Sequence, residues 1–162
     1  MDKIEFEPIG KIRSPFKEPE GTPIQPPGAE GIEGKIELSP EYEEGLKDIE
    51  GFSHLILLYY FHRAKEPSLT ATPFMEDKEH GIFAIRAPSR PNAIGLSIVR
   101  LLEVEDNILH IKDVDILDGT PLLDIKPYVA GFDRREDTKQ SWLEENIQKL
   151  SKKQDDGRFA EE

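Results

Sequence analysis

Residues 82–100 read IFAIRAPSRPNAIGLSIVR and place two apolar runs on either side of a turn-rich centre. The runs at 82–85 and 94–99 predict strands, and two prolines stiffen the loop between them. Arg86 and Arg90 lie in this stretch, which contains no acidic residue. Because arginine forks match the oxygens of carboxylates and phosphates, the stretch predicts an anion-binding loop held between strands.

Further strands are predicted on both sides of this loop. Residues 53–64, SHLILLYYFHRA, are apolar without alternation, which indicates a strand buried on both faces. The patterns at 34–38, 108–114 and 122–129 also predict strands, and the residues around Pro8 predict a bent or edge strand. Strands outnumber helices and do not alternate with them, so the residues favour a mainly β fold, an antiparallel barrel or sandwich with a few helices.

Helical signals are confined to two segments. Residues 39–51 begin with Ser-Pro and continue with apolar residues at helical spacing, which predicts a short helix. A C-terminal helix is predicted within residues 136–162, with a frayed tail at 154–162. We expect a single barrel domain at 1–135, followed by this helix and tail.

The composition limits the classes of function. Of 162 residues, 33 are acidic and 21 basic, and this net charge of -12 argues against indiscriminate nucleic-acid binding without excluding a local basic patch. The absence of cysteine excludes disulfides and thiolate metal sites, and the histidine spacing predicts no metal site. No apolar run approaches the roughly 20 residues of a membrane helix. The N-terminus does not resemble a signal peptide, so we expect a cytoplasmic protein.

The chain has no GxSxG, GxGxxG or P-loop motif, so four clusters of residues remain as candidates for a functional site, and three of them are described first. QPPG at 25–28 is either a rigid turn or a backbone surface for a flat ligand. His62 and Arg63 either bind a ligand or leave Arg63 to pair with a carboxylate. Arg86 and Arg90, in their proline-braced loop, favour a binding role.

A fourth cluster consists of carboxylates that follow the strand predicted at 108–114. They suit a cationic or amine-bearing ligand, although the Asp-Gly-Thr-Pro segment is by itself a turn signal. The cluster contains Asp113, Asp115, Asp118 and Asp124.

These same stretches resemble the TsaA-like family, whose characterised members are S-adenosylmethionine-dependent tRNA adenine-N6 methyltransferases. The matching segments run in order over about four-fifths of the sequence. They are IGKIRSPF (9–16), QPPG (25–28), GFSHLILLYYFHR (51–63), FAIRAPSRPNAIGLS (83–97) and VDILDGTPLLDIKPY (114–128). The resemblance implies a small β-barrel unrelated to Rossmann-like methyltransferases, acting as a homodimer with the cofactor near the subunit interface.

The resemblance also implies roles for individual residues. Leu96 is among them, although the strand pattern alone assigns it to the core. The implied cofactor contacts are Pro26, Pro27, Gly28, His62, Arg63, Arg86, Leu96, Lys112, Asp113, Val114 and Asp115. For the acceptor substrate we assign Arg90, Asn92 and Lys126, and for the proton acceptor Asp115.

The implied acceptor is a tRNA adenosine beside the anticodon that already carries a threonylcarbamoyl group. The carboxylate of that group and the phosphates of the anticodon loop are natural partners for Arg86 and Arg90. Two alternatives stay open from the sequence. One is methyl transfer to a small carboxylate-bearing molecule, which the acidity of the chain favours, and the other is a cofactor-binding module without turnover.

Overall fold

The computed structural model describes residues 1–161 and contains eight strands in that part of the chain. They are β1 (Gly10–Arg13), β2 (Glu33–Leu38), β3 (His54–Tyr60), β4 (Thr70–Ala71), β5 (His80–Gly81), β6 (Ile94–Glu105), β7 (Ile108–Lys112) and β8 (Thr120–Pro127). Six of them close into an antiparallel barrel in the order β1-β2-β7-β6-β3-β8, and β4 pairs with β5 alone. The predicted mainly β, antiparallel barrel is confirmed.

The barrel core is built from alternate residues of each strand, because successive side chains point to opposite faces. Ile12, Ile36, Leu109 and Leu122 are fully buried inside it. In β3 the same alternation holds. Leu55, Leu57 and Tyr59 are buried in the core, whereas Ile56 and Leu58 are half-buried on the outer face. The prediction that β3 is buried on both faces is therefore wrong, since its outer side chains have no second layer to pack against.

Gly95 lets an aromatic ring pack against the wall of the barrel. It lies opposite Tyr59 in the pairing of β3 with β6. A Cβ atom at position 95 would lie 2.5 Å from Cζ of Tyr59 and 2.8 Å from Cζ of Phe61, closer than carbon atoms can approach. The absence of a side chain at position 95 therefore leaves the space that the rings of Tyr59 and Phe61 occupy.

Helical structure in residues 1–161 is short and mostly of the 3-10 type. The α-helix α1 spans Ala130–Asp133. The 3-10 turns are Pro26–Ala29, Pro40–Leu46, Ile49–Gly51, Ile82–Ala84, Ser141–Leu143 and Ile147–Lys152. In this part of the chain no helix is long and apolar enough to cross a bilayer, and no three acidic or histidine side chains converge as metal ligands would.

Three predicted elements differ from the structure for identifiable reasons. The helix at 39–51 is two 3-10 turns, since Asp48 has a left-handed backbone with φ of 67° and the first turn buries no residue. The strand predicted at 82–85 is instead a 3-10 turn at Ile82–Ala84, in which Ile82 and Ile85 are buried at the three-residue spacing of such a turn while Phe83 is exposed. At the N-terminus only Gly10–Arg13 pairs as a strand, and the residues before it are largely exposed.

The C-terminal residues pack against the rest of the protein. In place of a continuous helix, two 3-10 turns lead into a tail in which Phe159 is only 7% exposed. Phe159 packs with Ile82, Ile85 and Ala87. Nε1 of Trp142 donates a hydrogen bond of 2.9 Å to the carbonyl oxygen of Ala84, at the end of a 3-10 turn. The predicted fraying is therefore wrong for the described tail residues, and Glu162 lies outside them.

Candidate functional site

A pocket of about 470 Å³ lies at the end of the barrel where β3 ends and where β6 and β8 begin. Its volume falls within the range of about 300–1,000 Å³ typical of small-molecule sites. The residues that form its wall are far apart in sequence. They come from residues 19–25, 59–64, 86–96, 115–120 and 155–160, together with Phe74.

Asp115 ends a hydrogen-bond chain at the wall of this pocket. Ser97 Oγ donates a 2.6 Å hydrogen bond to Oδ1 of Asp115 and lies 2.9 Å from the hydroxyl of Tyr59. With Asp115 ionised, the Ser97 hydroxyl donates its hydrogen bond to the carboxylate, and the Tyr59 hydroxyl donates one to Ser97 Oγ. Burial raises the pKa of Asp115 to about 7, although the Ser97 bond and the charge of Arg86 act in the opposite direction. At neutral pH this carboxyl group therefore both accepts and releases a proton readily.

The two arginines of the proline-rich loop reach the pocket in different ways. Nη1 of Arg86 donates a hydrogen bond of 3.1 Å to Oε1 of Gln25, which ties this loop to the Pro-Pro-Gly turn. Nη1 of Arg90 donates to the carbonyl oxygen of Ile85 at 3.1 Å and to that of Ala87 at 3.5 Å. A guanidinium group carries five N–H donors, so both arginines have further donors for a ligand.

His62 and Arg63 follow the end of β3 and line the same pocket. Nη1 of Arg63 lies 2.9 Å from Oε2 of Glu18, an exposed ion pair of small expected energy. Nδ1 of His62 lies 3.4 Å from Oγ1 of Thr120. Partial burial, followed by the positive charge of Arg63, lowers the pKa of His62, so this ring is neutral at pH 7. Of the two roles predicted for Arg63, pairing with a carboxylate and facing the ligand site, the structure contains both, because Arg63 pairs with Glu18 and also lines the pocket.

Predicted site residues from three separate stretches meet in this pocket. Leu96 is one of them, and at 49% exposed it lies on the outer face of β6 and not in the core, where the strand pattern placed it. The predicted residues in the pocket wall are His62, Arg63, Arg86, Arg90, Asn92, Leu96 and Asp115.

Other predicted residues lie beside this wall. Residues 26–28 form the 3-10 turn that directly follows Gln25, which is itself in the wall. Lys112 is on β7, and Val114 is fully buried in the barrel core. Oδ1 of Asp113 accepts a hydrogen bond of 2.8 Å from the backbone N–H of Gly31. These contacts hold the segment before Asp115 in place.

Lys126 lies on β8, where it pairs with Ile56 of β3 in the strand register. Its Nζ is 2.7 Å from Oδ2 of Asp124, and it does not contribute to the pocket wall. The structure therefore separates Lys126 from Arg90 and Asn92, the two other residues assigned to the acceptor.

Sequence reasoning missed the aromatic and C-terminal parts of the pocket. Tyr59 and Phe61 read as part of an apolar strand, and only their packing against Gly95 distinguishes them. Asp155 and Phe159 come from the tail. The sequence did contain one indication that the tail is packed against the protein. Phe159 is the one large apolar residue in the charged sequence SKKQDDGRFAEE.

The chain is similar to proteins of one family. Residues 11–134 match the tRNA-methyltransferase O N-terminal domain. A Pyrococcus abyssi protein named a probable S-adenosyl-L-methionine-binding protein is 62% identical, over 95% of this chain and 84% of the relative. The tRNA (adenine(37)-N6)-methyltransferase of Escherichia coli is 36% identical, over 89% of this chain and 66% of the enzyme.

A solved structure agrees with these sequence matches. The crystal structure of TrmO from Pseudomonas aeruginosa is 40% identical and superposes with a TM-score of 0.73, covering 87% of this chain. This chain spans 63% of that TrmO chain, so both enzymes are longer than the matched region. The domain match covers most of the sequence and includes every barrel strand except the first residue of β1, Gly10. This chain therefore belongs to the tRNA-methyltransferase O family, whose N-terminal domain it contains.

Proposed function

We propose that this protein is an S-adenosylmethionine-dependent methyltransferase that acts on N6 of a threonylcarbamoyl-modified adenosine next to the anticodon of tRNA. The observation that carries the proposal is that Asp115, with its pKa raised to about 7, lines the same pocket as Arg86. A proton acceptor thus lies beside a group suited to hold an anion. Family membership and the names of the relatives support the cofactor and the reaction.

The pocket fits S-adenosylmethionine in size and in chemistry. Tyr59, Phe61 and Ile24 offer apolar and aromatic surface to a nucleoside, and a methionine carboxylate suits the guanidinium of Arg86 or Arg63. When bound, the cofactor supplies a methyl group on a sulfonium centre. Further cofactor contacts are assigned to His62, Leu96, the turn at 26–28 and the segment 112–115.

The chain's own residues handle the proton that the acceptor amine must lose. Asp115 takes this proton, and the hydrogen bond from Ser97 stabilises its ionised form. The Tyr59 hydroxyl is hydrogen-bonded to Ser97 and stays protonated, because burial raises the pKa of Tyr59 above its ordinary value. The residues thereby orient the amine and accept its proton, while proximity supplies most of the remaining rate enhancement.

Acceptor binding is assigned to residues at the mouth of the pocket. Arg90 and Asn92 line it, whereas Lys126, the third residue assigned to the acceptor, lies on β8 outside the pocket wall and pairs with Asp124. A threonylcarbamoyl carboxylate and anticodon phosphates suit such groups. The net charge of -12 does not preclude this, since a local basic patch acts over about a Debye length of 8–10 Å.

Incubation with methyl-labelled S-adenosylmethionine and total tRNA from the source organism tests the function. We expect label in tRNA that carries the threonylcarbamoyl group and none in tRNA prepared without it. Label in a small-molecule fraction would instead establish methyl transfer to a small carboxylate-bearing acceptor, which the acidic chain favours. Tight binding without any transfer would identify a cofactor-binding module, and the name of the Pyrococcus relative refers to binding alone.

A homodimer is part of this proposal, and its contact surface is assigned to an apolar patch called here the outer β3–β6 face. The patch alternates with the core residues of the same strands, and it adjoins the pocket because Ile94 and Leu96 belong to both. Contiguous exposed apolar surface of this kind marks interaction sites. Its members are Ile56, Leu58, Tyr60, Ile94, Leu96 and Ile98. Like its tRNA substrate, the dimer is assigned to the cytoplasm.

Replacing Tyr60 by glutamate should convert the dimer to a monomer, since a charge would be buried in the contact without a partner. Sedimentation equilibrium should give twice the chain mass of 18.4 kDa for the unmodified protein and that mass alone for the variant. The control is Leu102→Glu, because Leu102 is equally exposed at 47% but lies outside the patch. A dimer that survives Tyr60→Glu would rule out this face.

A further inference from the structure

The C-terminal tail, residues 154–161, is bound across two loops that border the pocket. Asp155 exchanges two backbone hydrogen bonds, of 2.7 and 2.8 Å, with residues 21–22. Residues 159–161 exchange two more, each of 3.0 Å, with residues 63–65. The tail is therefore a fixed part of the pocket wall, held at both ends by strand-like pairing.

Side chains reinforce this position. The ring of Phe159 meets that of Phe74 edge to face, with centroids 5.1 Å apart, and its carbonyl oxygen accepts a 3.3 Å hydrogen bond from Ser89 Oγ. The guanidinium of Arg158 lies 5.1 Å from the centre of the Phe74 ring. Phe159 and Ala160 thus present an apolar surface to the pocket.

Asp155 is the acidic group that the tail brings to this wall. Its Oδ1 accepts a 2.7 Å hydrogen bond from the backbone N–H of Gly157. The neighbouring cation, Arg158, instead forms its ion pair with Asp156. Within residues 1–161 no lysine, arginine or histidine forms a salt bridge with Asp155. Asp155 therefore lines the pocket without an ion-pair partner among residues 1–161.

Burial raises the pKa of Asp155 and the charges of Asp156 and Glu20 act in the same direction, whereas the Gly157 hydrogen bond and the charge of Arg158 act against them. A carboxylate in this position gains most from a ligand that carries positive charge. The match to the family domain ends at residue 134, so this acidic group lies outside the matched region. The tail thus contributes to the pocket from outside the matched domain.

We propose that Asp155 is a ligand-binding residue, and that its carboxylate pairs with a positively charged group of a sulfonium nucleoside held against Phe159 and Ala160. This inference rests on the proposed function, because S-adenosylmethionine carries such charge at its sulfonium and its ammonium. Asp155 makes the pocket selective for the charged cofactor over neutral nucleosides of the same shape.

The test compares Asp155→Asn with Asp156→Asn by isothermal titration calorimetry. Asparagine at 155 keeps an oxygen to accept the Gly157 bond and removes only the charge, and Asp156 is exposed and outside the pocket wall. Three probes are used: S-adenosylmethionine with both charges, S-adenosylhomocysteine without the sulfonium, and methylthioadenosine with neither. Asp155→Asn should weaken binding of S-adenosylmethionine by about tenfold or more and leave methylthioadenosine within about twofold. Asp156→Asn should change neither.

The outcomes separate this inference from the function on which it rests. Binding of S-adenosylmethionine that is unchanged in Asp155→Asn would overturn the role of Asp155 and leave the methyltransferase proposal standing. An equal loss for methylthioadenosine would overturn it too, since contact with nucleoside hydroxyls would then explain the effect. A loss for S-adenosylhomocysteine equal to that for S-adenosylmethionine places the pairing at the ammonium, and a smaller loss places it at the sulfonium. If the unmodified protein binds none of the probes, the proposed function itself fails.

Discussion

Replacing Asp115 by asparagine is expected to slow methyl transfer by about 10²–10⁴-fold, the range typical of losing a general base. Asparagine preserves the shape of the side chain and accepts the Ser97 hydrogen bond, but it cannot take a proton from the amine. In the unmodified protein the rate should rise as pH increases through about 7, because Asp115 must be ionised to act. Single-turnover rates measured against pH, with cofactor saturating, would reveal both effects.

Asp106→Asn is a matched control for this substitution. Asp106 lies in the hairpin between β6 and β7, away from the pocket, and asparagine tolerates its left-handed backbone. That variant should transfer methyl groups at the normal rate. If Asp115→Asn retained the normal rate and the same pH profile, Asp115 would not be the proton acceptor.

Asp115→Asn should also change how the stability of the protein depends on pH. Folded Asp115 keeps its proton up to about pH 7, whereas the unfolded chain releases it near the ordinary value of 3.8. The folded form therefore binds more protons in this window, and stability falls as pH rises through it. Asp115→Asn removes this cost, so its melting temperature should exceed that of the unmodified protein at about pH 8 and approach it at about pH 4. The gain at high pH should be on the order of a few kcal/mol.

Replacing Arg86 by alanine should weaken cofactor binding by more than about tenfold, since charge-assisted hydrogen bonds to a carboxylate contribute on that scale. The substitution also removes the bond to Gln25, which connects the arginine loop to the Pro-Pro-Gly turn. Titration calorimetry with S-adenosylmethionine measures the loss. Unmodified affinity in a folded Arg86→Ala variant would refute the assignment.

Two further arginines make the comparison sharper. Arg100→Ala removes an exposed charge from β6 outside the pocket wall and should leave cofactor affinity unchanged. Arg90→Ala should weaken binding of the acceptor substrate more than binding of the cofactor. Because Arg90 also bonds the carbonyl oxygens of Ile85 and Ala87, its loss should loosen the loop and lower the melting temperature slightly.

The barrel was predictable from sequence because short apolar segments, some of them alternating, follow one another without intervening helices, and the resemblance resolved the choice between barrel and sandwich. Short 3-10 turns were not predictable. At 82–85 the short apolar run IFAI predicts a strand, yet the backbone forms a 3-10 turn that buries only Ile82 and Ile85. Apolar spacing describes which residues are buried, and several backbone conformations satisfy the same spacing.

The residues of the candidate site that could be predicted from sequence are charged residues whose neighbours in the chain make an unusual charge pattern. Arg86 and Arg90 stand in an acid-free loop of an acidic chain, and Asp115 belongs to a cluster of carboxylates. Tyr59 and Asp155 could not be found this way. Tyr59 looks like any strand residue, and the position of Asp155 depends on backbone pairing with residues 21–22, which no local pattern encodes.

The seam between β1 and β8 has a consequence for how the chain reaches its folded state. Gly10 pairs with Leu122 there, so the first and last strands of the barrel must meet across nearly the whole domain. Such long-range pairing carries a large loop-closure entropy, which makes ring closure a late step in folding. While the ribosome is still producing β8, the nascent chain carries an unpaired edge on β1 and another on β3, and both invite aggregation. Chaperones that shield such edges during translation should therefore raise the yield of recombinant protein.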